Sequence, residues 1–141
     1  MSYFTYSGYG YSKKLCKSVT QWFMTQYLSD QDIEISIHHR SLKSEGVDGL
    51  CDSIPDTNEF EIEIDTYLSQ TVYMKTLLHE LYHVLQWVNG SLHEESGKLY
   101  YRNSSVSSID YELQPHEVEA SQQEEILYRN YIFDRYELQR S

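Results

Sequence analysis

The sequence predicts a single α+β domain, and three observations lead to that class. Residues 12–29 and 71–88 carry apolar side chains at helical spacing. Between them, two short segments alternate apolar and polar residues, as half-buried strands do. A charged segment follows and opens with Pro115, a residue favoured in the first turn of a helix. Since 141 residues suit one modest core, we expect residues 1–141 to form one domain.

The composition excludes several functional classes. The 22 acidic and 11 basic residues give a formal charge of −11, which disfavours binding to nucleic acid or an anionic membrane. A hydrophobic content of 40% that includes 14 tyrosines is typical of a folded chain. No apolar run reaches the roughly 18 residues of a membrane helix, and Met1–Tyr11 lacks the apolar core of a signal peptide. We therefore expect a soluble, cytoplasmic protein with neutral or basic partners.

The first helix is expected over residues 12–29. Ser12 is placed to cap its first turn. The apolar residues follow the i, i+4, i+7, i+8 spacing of an amphipathic helix and predict a face that packs on the core. They are Leu15, Val19, Trp22, Phe23 and Tyr27.

Three strands are expected between the two helical segments. Three isoleucines alternate with polar residues in residues 33–39, and Phe60, Ile62 and Ile64 do so in residues 59–65. Residues 46–53 are followed by turn-forming residues, so they predict a third strand that forms a hairpin with the Phe60 strand. The sequence thus predicts a small three-stranded sheet.

A second helix is expected over residues 71–88, with Ser69 or Thr71 as its cap and Asn89-Gly90 at its end. Residues 91–114 show no strong period and predict an ordered but irregular connection. A third helix is expected from Pro115 to Leu138. Its candidate inward residues are Val118, Ile126, Leu127, Tyr131 and Tyr136.

The second helix contains the segment His79-Glu80-Leu81-Tyr82-His83, which has the pattern HExxH. The four-residue spacing places both imidazoles on one helix face, about 40° apart, where they can bind one metal ion. Glu80 projects beside that site, where a carboxylate can act as a base without being a ligand. Because the flanking residues are apolar, unpartnered histidines here would cost stability, which favours a metal site.

A catalytic zinc site usually has a third protein ligand. The metzincin pattern is absent, because Gln86 and Asn89 stand where it requires Gly and His. The helix that begins at Pro115 opens with two glutamates about 200° apart on the helical wheel, so only one of them can face a metal. The candidate third ligands are these residues, Glu117 and Glu119, together with His93 and His116.

Two other groups of reactive side chains are expected to have no such role. Cys16 and Cys51 have no CxxC spacing and are too few for a disulfide scaffold, so we expect reduced thiols. His38 and His39 are adjacent on a predicted strand, where neighbouring side chains point to opposite faces. They are therefore poorly placed to share one ion.

The HExxH segment and Glu117-Val118-Glu119-Ala120 together resemble the gluzincin metallopeptidases, in particular the minigluzincins and the IrrE- and ImmA-type peptidases. The resemblance implies a zincin-like fold, with an N-terminal helix, a small three-stranded sheet, an HExxH active-site helix and a C-terminal glutamate helix. In these families the ligand glutamate commonly precedes a small residue by three positions, as Glu117 precedes Ala120. The resemblance therefore implies a Zn²⁺ ion bound by His79, His83 and Glu117.

The same resemblance implies how the ligands are supported. An Asp often follows the small residue in such glutamate helices, but Ser121 stands at that position here. Asp65 and Glu124 are the candidates to replace its support of the metal ligands.

The implied function is zinc-dependent hydrolysis of peptide bonds in a protein or peptide substrate. Glu80 would act as general base toward a zinc-bound water. Tyr111 is the expected second donor to the oxyanion, with Tyr100, Tyr101 and His116 as alternatives. The substrate would lie extended along the strand near residues 49–53. The resemblance also suggests a phage-encoded enzyme. The alternative is a catalytically inactive zincin-like binding or regulatory module.

Overall fold

The computed structural model describes residues 1–140, with the side chains of residues 1–137. Its three helices and two β-sheets confirm the predicted α+β class. The helices are α1 (Lys13–Tyr27), α2 (Gln70–Val88) and α3 (Pro115–Arg140). The strands are β1 (Tyr3–Gly8), β2 (Glu34–His39), β3 (Gly49–Ser53), β4 (Glu59–Ile64), β5 (Leu92–Glu95), β6 (Lys98–Tyr101) and β7 (Ser104–Ser105).

The main sheet has four strands in the order β1-β2-β4-β3. The three predicted strands are present, and β3 pairs antiparallel with β4 as the predicted hairpin requires. The expectation of a three-stranded sheet is wrong, because β1 pairs in parallel with β2, from Tyr3 opposite Glu34 to Gly8 opposite His39. Most side chains of β1 are exposed, so the strand carries no alternating apolar pattern that sequence reasoning could detect. At the other edge of the sheet lies β3.

The core lies between the main sheet and the helices. Ser12 caps α1 as predicted and accepts a hydrogen bond from the Leu15 amide at 3.1 Å. Phe23 of α1 and Leu77 of α2 are fully buried in one cluster with the isoleucines of β2 and β4. Full burial of such a side chain stabilises the fold by about 1.5 to 3 kcal/mol. This packing fixes α2, which carries the HExxH segment, against the sheet.

Residues 91–114 are not the irregular connection that the sequence predicts, because β5, β6 and β7 form a second, antiparallel sheet. Ser96 and Gly97 join β5 to β6 with φ values of 53° and 77°. Arg102 and Asn103 join β6 to β7 with φ values of 49° and 69°. Two consecutive residues with positive φ are typical of the tight turns that connect hairpin strands. We call the β5–β6 pair the hairpin.

The third helix begins at Pro115 as predicted and packs on α2. Leu127 and Tyr131 are buried inward residues, as expected. The Tyr131 hydroxyl shares a hydrogen bond of 2.7 Å with Ser18, which joins α3 to α1. The other three candidates are wrong, because they lie on exposed faces of the helix. They are Val118, Ile126 and Tyr136.

The cysteines and the adjacent histidines are placed as the sequence predicts. Cys16 and Cys51 are both free thiols, as predicted. His38 is exposed whereas His39 is fully buried, which confirms that they face opposite sides of β2. None of the helices in the described part of the chain combines the length and apolar character needed to cross a bilayer.

Candidate metal centre

The two histidines of the HExxH segment are held by the buried helix α2. Ser69 caps the start of α2 and accepts a hydrogen bond from the Val72 amide. His79 and His83 share the face of α2 that meets the start of α3, and their ring centroids lie 4.9 Å apart. The side chain of His79 is 14% exposed and that of His83 is 5% exposed. Packing of α2 therefore removes both imidazoles from most of the solvent.

Glu117, in the first turn of α3, is the third member of the group. Its Oε1 atom lies 2.9 Å from Nε2 of His79, and its Oε2 atom lies 3.1 Å from Nε2 of His83. One potential ligand atom from each of the three residues lies within 4.8 Å of the others. His79, His83 and Glu117 therefore form a group that could hold a metal ion.

Hydrogen bonds to the other ring nitrogens orient both imidazoles. His79 donates from Nδ1 to Glu124 over 2.8 Å, and His83 donates from Nδ1 to Oε1 of Gln86 over 2.7 Å. The amide of Gln86 donates in turn to the carbonyl oxygen of His116, which fixes its orientation. Histidine ligands in metal sites commonly have such a partner, because it leaves Nε2 free to bind the ion. Sequence reasoning named Glu124 as a candidate support but missed Gln86.

The electrostatics of the group also suit a cation. The buried Nε2 atom of His83 has no hydrogen-bond partner among the described residues, since its contact with Glu117 lacks hydrogen-bond geometry. Burial opposes protonation of His79, but hydrogen bonds with Glu117 and Glu124 raise its pKa to about 10. Burial disfavours the Glu117 carboxylate, but the two histidines lower its pKa well below the usual value. An anionic carboxylate and an unsatisfied imidazole nitrogen are the donors that a divalent metal requires.

Glu80 lies beside this group and is not a member of it. Glu80 is only 4% exposed, and no described residue forms a hydrogen bond with its carboxylate. Burial raises the pKa of Glu80 to about 7, although the positive His83 and His79 oppose that rise. A carboxyl group with such a pKa can exchange a proton near neutral pH.

Two cavities meet at the candidate metal centre, and Glu80, Tyr111 and Glu117 line both. The first, which we call the acidic cavity, has a volume of about 300 Å³ and includes Asp48 and Glu124 in its walls. The second, the hairpin cavity, has a volume of about 350 Å³ and extends to β3 and the hairpin. Both cavities therefore border the group of three residues.

Tyr111 lies at the junction of the two cavities, in a 3₁₀ turn just before α3. Partial burial and the negative charge of Glu117 raise the pKa of its hydroxyl, so it is a donor at neutral pH. The alternative donors are placed differently. Tyr101 donates to Glu119, and Tyr100 stacks on His93.

The other candidate ligands do not join the group of three in the described part of the chain. Glu119 instead accepts hydrogen bonds from Tyr82 and Gln86 and pairs with Arg102. His93 lies on β5 of the hairpin. His116 is buried, and its Nε2 atom lies 3.6 Å from Oε2 of Glu117.

The two candidate supporting carboxylates also occupy different places. Glu124 hydrogen-bonds to His79, whereas Asp65 accepts hydrogen bonds from the amides of Leu42 and Thr66. Asp65 thus joins the segment after β4 to Leu42 in the loop after β2, and it is not a member of the group.

Comparison with known proteins found no matching family model, curated protein or solved structure.

Proposed function

We propose that this chain is a zinc-dependent metallopeptidase with a zincin-like fold of the gluzincin type. The observation that carries the proposal is the position of Glu80. This buried carboxylate has no hydrogen-bond partner in the described chain and lies beside a group of two histidines and one glutamate, where two cavities meet. That arrangement suits a general base next to a metal-activated nucleophile.

His79, His83 and Glu117 would hold the ion, and their two imidazoles and one carboxylate are typical zinc ligands. When bound, zinc would supply Lewis-acid chemistry that polarises a carbonyl oxygen and makes water acidic near neutral pH. Glu80 would accept the proton of the attacking water and later deliver it to the leaving amine. Tyr111 would donate a hydrogen bond to the oxygen that becomes negative.

The substrate would be an extended protein or peptide segment. Strand β3 lies at an edge of the main sheet, so its outer backbone groups are free to pair with another strand. Leu50, Cys51 and Asp52 of this strand line the hairpin cavity. A peptide paired with β3 would therefore pass the metal centre with its backbone oriented by the sheet.

Peptide cleavage with zinc present tests the proposal. The wild-type protein should cleave an unfolded protein or a peptide library, whereas Glu80→Gln should retain zinc and lose about 10²- to 10⁴-fold in rate. Glu61→Gln is the matched control, because it removes an exposed carboxylate from the main sheet. Zinc content is measured by elemental analysis. Cleavage that persists in Glu80→Gln would overturn the assigned base, and a zinc-loaded wild type without activity would favour the binding module.

A further inference from the structure

The acidic cavity has an unusual concentration of one charge. Its walls include five carboxylates, and no lysine or arginine is among the described residues that line it. Its volume of about 300 Å³ lies at the lower end of the range for ligand pockets. The carboxylates are Asp48, Glu80, Glu112, Glu117 and Glu124.

These carboxylates are not equally available to a ligand. Glu117 and Glu124 are engaged with His79. The carboxylates of Asp48 and Glu112 have no ion pair or hydrogen bond with a described residue. Both residues are exposed, so two solvated negative charges in the walls have no partner within the described chain.

Glu80 is a further carboxylate in these walls without a hydrogen-bond partner in the described chain, and it also lines the hairpin cavity. It is 4% exposed. A buried polar group without a partner costs free energy, so a donor from outside the chain would stabilise it. In the proposed mechanism the attacking water is that donor, whereas a cationic group of a ligand in the same cavity would be attracted by Asp48 and Glu112.

We infer that the acidic cavity receives the lysine or arginine side chain of a substrate residue that directly flanks the cleaved peptide bond. This inference rests on the proposed peptidase function, because it places that bond at the metal centre. A substrate Asp or Glu in the same position is repelled by the walls, and an apolar side chain gains no attraction from them.

The preference should be strongest at the substrate position that enters the acidic cavity. The hairpin cavity also has carboxylates in its walls, but it has an apolar wall of Leu50, Leu92 and Leu99 as well. Its carboxylates are Asp52, Glu80, Glu94 and Glu117. That mixed lining can accept apolar side chains as well as cations, so a basic residue gives less advantage there.

The first test compares cleavage of matched peptides by the zinc-loaded wild type. The peptides differ at one position, which carries lysine, norleucine or glutamate and is moved along the sequence. At one position beside the cleaved bond, lysine should raise kcat/KM about tenfold over norleucine. Glu112→Gln and Asp48→Asn should reduce that ratio several-fold, and Glu61→Gln should leave it unchanged. Equal rates for lysine and norleucine at every position would overturn the inference.

The second test measures binding, so that its result does not depend on turnover. Fluorescent lysine and norleucine peptides are titrated with zinc-loaded Glu80→Gln and followed by anisotropy. The lysine peptide should bind more tightly, and adding Glu112→Gln should abolish the difference. Adding Glu61→Gln instead removes one negative charge from the main sheet, outside the acidic cavity, and should preserve the difference in affinity between the two peptides. Loss of selectivity with both additions would indicate general attraction to an acidic protein and would overturn the cavity assignment.

The two tests separate failure of this inference from failure of the proposed function. Selective binding through Glu112 without cleavage of any peptide supports the cavity assignment and overturns the peptidase proposal. Cleavage without a preference for basic residues overturns the cavity assignment and supports the peptidase proposal. Absence of both cleavage and selective binding overturns both.

Discussion

Glu80 packs directly against Gly49, where the edge strand β3 crosses α2. A β-carbon at position 49 would lie 2.9 Å from Oε2 of Glu80 and 2.9 Å from the methyl group of Thr76. Since real β-carbons essentially never approach other atoms this closely, only glycine fits here without a shift of its neighbours. The strand and the helix can therefore approach closely, with the Glu80 carboxylate held between them.

Gly49→Ala should destabilise the protein by about 1 to 3 kcal/mol, because the added methyl group overpacks a tight contact. Glu80→Ala should relieve part of this clash. In a double-mutant cycle measured by urea unfolding, the two substitutions should show a favourable coupling of about 0.5 kcal/mol or more. Strictly additive effects would mean that Gly49 does not restrict the position of Glu80.

The two glutamates at the start of α3 have separate tasks. Glu117→Ala should lose most bound metal, because it removes one of the three ligand groups. Glu119→Ala should retain metal but lose about 1 to 3 kcal/mol of stability, because Tyr82 and Gln86 lose their acceptor. Metal content by elemental analysis and urea unfolding separate the two effects. Loss of metal from the Glu119 variant alone would reverse the assignment.

Local sequence spacing could predict much of this centre. An α-helix places residues four apart on one face, so the positions of His79 and His83 follow from the chain alone. The approach of Glu117 depends on how α3 packs against α2, and spacing left Glu119 as an open alternative. Gln86 and its bond to His83 were missed, although residues three apart on a helix are neighbours and Gln86 follows His83 by three.

The missed strands have different physical causes. Strand β1 forms through pairing with residues about 31 positions away, and its exposed tyrosines carry no signal of a buried face. The hairpin had a local signal, since Ser96-Gly97 is a two-residue turn between two short segments that pair. The position of the hairpin beside the candidate metal centre has no such local signal, because Leu92 and Leu99 reach the hairpin cavity only through the tertiary fold.

Glu124 should tune metal binding without being a ligand. It accepts a hydrogen bond from Nδ1 of His79, and loss of such a partner typically weakens metal affinity about 10- to 100-fold. We therefore expect Glu124→Ala to bind zinc more weakly by this amount in a competition titration with a chelator. Glu125→Ala is the matched control, because Glu125 pairs with Lys75 and lies outside the cavity. Equal affinities of the two variants would show that Glu124 does not support His79.

His39, which is distant in sequence from the candidate metal-binding group, should make the stability of the fold depend on pH. It is fully buried and stacks on Tyr11, with ring centroids 3.4 Å apart. Its Nδ1 atom donates to the carbonyl oxygen of Ser7, and its Nε2 atom accepts from the Tyr73 hydroxyl, each over 2.8 Å. Both bonds suit the neutral ring, and burial lowers the pKa of His39 below its ordinary value of 6.5.

The sign of the effect follows from this lowered pKa. The unfolded chain binds a proton at His39 at a higher pH than the folded chain, so stability should fall as the pH decreases below about 6.5. His39→Gln should be less stable at pH 7.5 by about 1 to 3 kcal/mol, since it disturbs two buried hydrogen bonds. Its urea midpoint should then decrease less between pH 7.5 and pH 5.5 than that of the wild type. If the urea midpoints of both proteins decrease in parallel, other groups cause the acid sensitivity. A smaller decrease in His39→Gln identifies the neutral His39 ring as a link between β1, β2 and α2.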